Sequence, residues 1–190
     1  MRLQQIKIFI AFVLLAFVSF ETGCFFKNER GDLGYAAVHN DLGRIYYKQG
    51  RYEEAVLEFK EAIRINPKSP ETYNDLGIVY YAQGNLQGAM EEYKKAIEID
   101  PDFYKAHNNL GIAYYKQGRL EEAISALKEA IRINPDYAEA HAALGLVYHS
   151  RNEYEDAIRE YEEAIGKNPD LNGRLEGYIE KARQRLAPGK

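Results

Sequence analysis

The chain has a single cysteine, no tryptophan and no surplus of positive charge. Cys24 is the only cysteine among 190 residues, so no disulfide can close within the chain. Lysines and arginines number 25 against 29 aspartates and glutamates, a net charge of −4. No basic patch is interleaved with aromatics, which excludes the electrostatic footprint of a nucleic-acid binder. The spacing Gly-x-x-x-x-Gly-Lys-Ser/Thr, whose backbone amides wrap phosphates, is also missing. At Gly166-Lys167 the next residue is Asn168, and Tyr161 stands where the first glycine belongs. No His-Glu-x-x-His occurs to hold zinc, and Cys24 has no fixed histidine beside it. The many carboxylates fall on exposed faces, with no walls to exclude water around an acid–base pair. No catalytic residue, cofactor or metal is therefore expected, and the chain is read as a non-enzyme.

Proline, though scarce, is placed with regularity: Pro67, Pro101, Pro135 and Pro169 stand 34 residues apart. A fixed period of that length marks a stacked repeat, whose units need neighbours to bury their cores. Four units follow, 36–69, 70–103, 104–137 and 138–171. Each opens with a helical stretch of apolar residues three and four apart, such as Val38, Leu42, Ile45 and Tyr46. Each breaks at Gln49-Gly50, Gln83-Gly84, Gln117-Gly118 or Arg151-Asn152, where the left-handed conformation that ends a helix is accessible. A second helix follows, with Ala55, Phe59, Ala62 and Ile63 as its buried stripe in the first unit. Acids at its start (Glu53-Glu54, Glu121-Glu122, Glu155-Asp156) suit the helix dipole. Asn66-Pro67, Asp100-Pro101, Asn134-Pro135 and Asn168-Pro169 stop it, because the residue before proline is pushed out of the helical region.

Small residues recur in three registers: Gly43, Gly77, Gly111 and Gly145; Ala55, Ala89, Ala123 and Ala157; Ala62, Ala96, Ala130 and Ala164. Glycine inside a helix costs roughly 1 kcal/mol relative to alanine, so four in register point to close backbone approach. In this light the units resemble the tetratricopeptide repeat. Its Leu-Gly-x-x-Tyr, Ala, Phe/Tyr, Ala and Pro signature reads here Leu42-Gly43-Arg44-Ile45-Tyr46, Ala55, Phe59, Ala62 and Pro67, and similarly in the other units. The resemblance implies an all-α solenoid of four helix-turn-helix units. The family's usual tryptophan near the start of the first helix is replaced by His39, Tyr73, His107 and His141. Equivalent positions of stacked helices lie roughly 10 Å apart, too far to share a metal, so these rings are read as packing.

Residues 172–190 read as a ninth helix and tail. Leu175, Tyr178, Ala182 and Leu186 form one face and Arg174, Glu176, Glu180, Arg183 and Arg185 lie elsewhere, as a polar-backed cap requires. The last four residues read as a frayed end. Outer-face charges are expected to pair four apart, as in Glu91–Lys95 and Glu155–Arg159.

The N-terminus is a different object. Arg2 and Lys7 precede an uncharged apolar run from Ile8 to Phe20, of signal-peptide rather than membrane-spanning length. Thr22-Gly23-Cys24 follows, and the arrangement resembles a bacterial lipoprotein signal with Cys24 as the lipidated residue. Glu21 departs from the aliphatic residue usual three places before that cysteine. An uncleaved anchor over 6–26 and ordinary signal cleavage are the other readings. All three export the repeats across a membrane, with 1–23 as signal peptide or anchor and 24–35 as a tether loosened by Gly31 and Gly34. A repeat domain without cysteine suits the bacterial periplasm this implies. Loss of residues 1–23 removes Arg2, Lys7 and Glu21 from the 25 basic and 29 acidic residues, a net of −5.

In each unit's first helix the second, fifth, ninth and twelfth residues share a face, and in the resembled family that face lines the concave groove. The expected groove comprises Asn40, Arg44 and Tyr47; Asn74, Asp75, Ile78 and Tyr81; Lys105, Asn108, Asn109, Ile112 and Tyr115; then Leu146 and His149. Asn40, Asn74 and Asn108 form one ladder and Tyr47, Tyr81, Tyr115 and His149 another. Asparagine amides facing solvent can donate to and accept from an extended peptide at once. The alternative for such ladders is simple repetition. Clamping of a C-terminal carboxylate, known in the family, is disfavoured by Asp75 at its centre. The resemblance implies a membrane-tethered scaffold gripping a peptide or partner protein, as pilotins and cell-envelope scaffolds of this plan do. The alternative is a homo-oligomeric assembly platform using the tyrosine-rich surface.

Overall fold

The computed structural model describes residues 29–187, with side chains from residue 34 onward. The expected signal segment, Cys24 and residues 188–190 lie outside the described residues. Within them the chain is nine α-helices and no strand. The helices are α1 (Glu29–Lys48), α2 (Tyr52–Ile65), α3 (Pro70–Ala82), α4 (Leu86–Ile99), α5 (Tyr104–Lys116), α6 (Leu120–Ile133), α7 (Ala138–Ser150), α8 (Tyr154–Lys167) and α9 (Asn172–Leu186), with a 3-10 turn at Pro169–Leu171 before the last. Each helix packs on its neighbours in sequence, and α1, α3, α5 and α7 also touch in succession, so the odd-numbered helices form one continuous layer.

The punctuation follows the physics of the sequence. Gly50, Gly84 and Gly118 end α1, α3 and α5 at φ of 74°, 79° and 76°, and Asn152 takes the same region at 62°. At the Asn/Asp-Pro stops, the Asn66, Asp100, Asn134 and Asn168 side chains each accept from the backbone amide two residues on. Proline therefore ends the helix while the preceding side chain folds the turn. One boundary is extended: α1 spans Glu29–Lys48, so residues 29–35, ahead of the first unit, are helical.

Both alanine registers are completely buried. A Cβ added at Gly43, Gly77, Gly111 or Gly145 would lie 2.8, 2.5, 2.7 or 2.6 Å from Phe59, Tyr93, Leu127 or Tyr161 respectively. The missing side chain lets the partner helix's largest residue lie against the backbone, so helices of one repeat close up tightly.

Stacking of repeats uses other registers. Thr72, Leu76 and Val79, then Ala106, Leu110 and Ala113, then Ala140, Leu144 and Val147, are none of them more than 7% exposed, because the second helix of the preceding repeat covers them. One apolar cluster runs through repeats two to four into the cap. A smaller one, built on Ala55, Phe59, Leu76 and Val79, joins repeats one and two. The cap α9 buries Leu175, Ile179 and Ala182. Tyr178 and Leu186, expected on that stripe, are exposed at 41% and 38%, because the true stripe runs 175, 179, 182. The expected four-apart ion pairs form one residue shorter, as Glu92–Lys95 and Asp156–Arg159.

Candidate peptide-binding groove

The layer of α1, α3, α5 and α7 carries the residues expected to line a groove, and two pockets open along it. The first, about 220 Å³, is lined by Arg44, Tyr47, Lys48, Phe59, Asp75 and Ile78 between repeats one and two. The second, about 330 Å³, has Ile112, Tyr115, Ala142 and Leu146 as its apolar wall and Lys116, Glu139 and Arg174 at its polar rim. Of the expected residues, Arg44, Tyr47, Asp75 and Ile78 thus meet at one pocket and Ile112, Tyr115 and Leu146 at the other. Asn40, Asn74, Tyr81, Lys105, Asn108, Asn109 and His149 line neither. Leu171 and Arg174 join the second pocket without a signal in the repeat pattern, because Leu171 ends the 3-10 turn and Arg174 lies in the first turn of the cap, neither in a repeat's first helix.

The asparagine ladder is not a row of solvent-facing amides. Asn74 and Asn108 are only 4% and 3% exposed. Asn109 Nδ2 donates to Asn74 Oδ1 at 2.9 Å, and Asn108 Nδ2 donates to Asn109 Oδ1 at 3.2 Å. The physical reason is depth. The first helices of neighbouring repeats touch, so this register points into their seam and the amides bond across it. Asn40 Oδ1 and Asn108 Oδ1 are buried with no hydrogen-bond partner among the described residues, which keeps the seam polar inside an otherwise apolar stack.

Arg44 and Asp75 form the lip of the first pocket. Arg44 Nε donates to Asp75 Oδ2 at 2.7 Å, and Asp41 lies 3.7 Å from the same guanidinium. Burial pushes the Asp75 carboxyl above its ordinary range, only partly offset by Arg44 and by the Asn74 amide. The Arg44 guanidinium is held more firmly charged, chiefly by its bond to Asp75. The one cation in the first repeat's groove register is therefore already neutralised, which argues against a carboxylate clamp here. Lys105 is exposed, with its ammonium 5.9 Å from the centre of the Tyr104 ring.

The tyrosine ladder is half-buried throughout. Tyr47 lies 6.0 Å from Tyr52, centroid to centroid, and Tyr81 and Tyr115 pack against the main apolar cluster. The last rung, His149, meets Tyr154 and Tyr178 edge-on at 5.4 and 6.2 Å. These rings brace the turns and the cap as much as they floor a groove.

The rings in the tryptophan slot do more than fill space. His39 Nδ1 lies 2.6 Å from Glu58 Oε2, and His141 Nδ1 lies 2.8 Å from Glu160 Oε2, tying first helix to second within a repeat. The Nε2 atoms of His107 and His141 meet the Pro101 and Pro135 carbonyls. A further depression, about 560 Å³, is away from the groove, where α4, α5 and α6 meet. Ala126 lines it, in the register where the other repeats carry Glu58, Glu92 and Glu160. Among the described residues no group of three His, Cys, Asp or Glu is placed to hold a metal.

Paired helices stacked through small residues, with a continuous first-helix face, define a helical-repeat solenoid of the superhelical kind. The chain belongs to the tetratricopeptide repeat family: the TPR repeat model matches residues 43–84, 79–118 and 113–150, and the tetratricopeptide repeat model matches 138–171. Among solved structures it is similar to PilF of Pseudomonas aeruginosa, at 26% identity and a TM-score of 0.69 over 84% of this chain and 79% of that one. It also shares the fold of YrrB, described as a TPR protein with an unusual peptide-binding site, at 24% identity and a TM-score of 0.63 over 75% of this chain and 74% of that one. A stretch of 47 residues, 25% of this chain, is 40% identical to the U-box domain-containing protein 70 of Oryza sativa subsp. japonica. The chain spans only 6% of that relative's length.

Proposed function

We propose that the protein is a non-catalytic scaffold that binds a peptide or partner protein along the layer of α1, α3, α5 and α7, tethered to a bacterial membrane by its N-terminal segment. The observation that carries the binding reading is the second pocket. An apolar wall of Ile112, Tyr115, Ala142 and Leu146 is rimmed by Lys116, Glu139 and Arg174. Recognition sites commonly pair an apolar anchor pocket with a few polar groups that fix orientation. YrrB, of the same fold, is described as having a peptide-binding site. The tether rests on the uncharged run Ile8–Phe20 and on Cys24, read as the lipid-bearing residue of an exported protein that serves a cell-envelope assembly.

The groove is tested at the pocket wall and not at the asparagines, whose burial would confound folding with binding. Crosslinked capture from membranes is compared for the wild type, Leu146→Asp and Arg174→Glu. Loss of the same partner from both variants, with helicity unchanged, supports the groove. Equal capture by all three proteins removes it. Metabolic labelling with a fatty-acid analogue, in the wild type and Cys24→Ser, tests the tether. Label that persists in the variant rules out lipidation at Cys24.

A further inference from the structure

We infer that the outer side of α1, the open end of the stack, is a docking surface for a second copy of this chain, paired about a two-fold axis. Val38 is 55% exposed and Ile45 48%, with Leu42 half-buried between them. These positions are in register with Thr72, Leu76 and Val79, which are at most 1% exposed. The first repeat therefore presents the same apolar surface that every later repeat buries, with nothing among the described residues to cover it. Tyr35 extends the strip at 67% exposure, whereas its counterpart Tyr137 is half-buried, 4.9 Å from Tyr104.

The occupant follows from the ends of the stack. The far end is closed by α9, whose charged and polar Glu176, Glu180, Lys181 and Gln184 are all exposed on the side away from its buried stripe. That polar back cannot seat Val38 and Ile45, so head-to-tail stacking is closed off and an isologous contact remains. The chain's own run Ile8–Phe20 makes a poor cover. A cap needs a polar outer face, and that run carries no charge to supply one. Two copies of α1 laid antiparallel about the midpoint of 38–45 set Val38 against the partner's Ile45. The same arrangement sets Tyr35 against the partner's Lys48, a cation over a ring. Asp41, the acid beside the strip, already lies 3.7 Å from Arg44 of its own chain. One helix face buries less than the roughly 800 Å² per partner of a standard stable interface, so the dimer is weak and concentration-dependent. Neither the groove nor the lipid takes part in this contact.

The full chain in mild detergent is followed by sedimentation over a thousandfold range of concentration. The wild type is expected to pass from monomer to dimer. Val38→Glu and Ile45→Lys should each move that midpoint at least tenfold higher without altering the helix signal, and an equimolar mixture of the two should restore it. In membranes, a chain carrying both Val38→Cys and Ile45→Cys should oxidise to a covalent dimer, and Ser125→Cys on the outer surface should not. Leu146→Asp should dimerise as the wild type does, which separates this surface from the groove. A midpoint unmoved by either charge, or no trapped dimer, overturns the proposal. So does a monomer whose Val38→Cys thiol is protected from maleimide, which assigns the face to the chain's own N-terminal segment. A monomer that binds phosphatidylglycerol vesicles through Val38 overturns it in favour of a lipid surface.

Discussion

Gly145 and Gly177 are both helical, yet alanine should act on them with opposite sign. At Gly145 a Cβ would sit 2.6 Å from the fully buried Tyr161 ring and 3.2 Å from the Ala157 carbonyl oxygen. Overpacking of that kind costs about 1–3 kcal/mol, more than the roughly 1 kcal/mol that better helix propensity returns. At Gly177 an added Cβ would meet nothing within 4 Å beyond its chain neighbours and its own helix backbone, so only the propensity gain of about 0.5–1 kcal/mol remains. Denaturant titration of Gly145→Ala and Gly177→Ala against the wild type measures both. A stabilised Gly145→Ala would show that the glycine register is not set by close packing. That register is legible in the sequence because helix propensity disfavours glycine at all four positions, so only a packing demand keeps it there. The depth of Asn74 and Asn108 is not legible, since spacing assigns a residue to a face but not to a distance from the next helix. Only the contact between α3 and α5 turns their shared face into a seam, and only there does the bond from Asn109 to Asn74 form.

Among the elements, the helix ends are the most readable, and for local reasons. Glycine or asparagine in the left-handed region and asparagine or aspartate before proline act within two or three residues, so no tertiary knowledge is needed. The start of α1 is less readable, because the repeat period places a unit boundary at Ala36 and says nothing of a helix that runs on before it. The cap shows the same limit: periodicity gives its extent, Asn172–Leu186, but puts its buried stripe one residue off at Tyr178. Two apolar stripes coexist on that helix, and only the position of α8 chooses between them. The choice has an energetic signature. Ile179, 6% exposed, should cost about 2–4 kcal/mol on truncation to alanine, whereas Leu186, 38% exposed, should cost less than about 1 kcal/mol. Thermal unfolding of the two variants orders them. A larger loss at Leu186 would mean that α9 docks through its other stripe.

At the scale of the whole molecule, stability in a stack is carried by each repeat and its contacts with the next, so the ends are not equivalent. Repeats two to four share one continuous apolar cluster that α9 closes, while repeat one is attached through the smaller cluster of Ala55, Phe59, Leu76 and Val79. Its other side leaves Val38 and Ile45 in water. Local opening needs the fewest buried contacts broken at that end, so in dilute protein the amides of α1 and α2 should exchange hydrogen fastest and those of α5 to α8 slowest. Hydrogen exchange resolved by peptide mass measures the gradient directly. Equal protection from α1 through α8 would mean that the stack opens as one unit and that the first repeat is no weaker than the rest. Varying the protein concentration in the same experiment separates the end repeat from the others. A dimer closed through α1 slows exchange there as protein concentration rises and leaves α5 to α8 unchanged, because only the end repeat acquires the neighbour that every internal repeat already has.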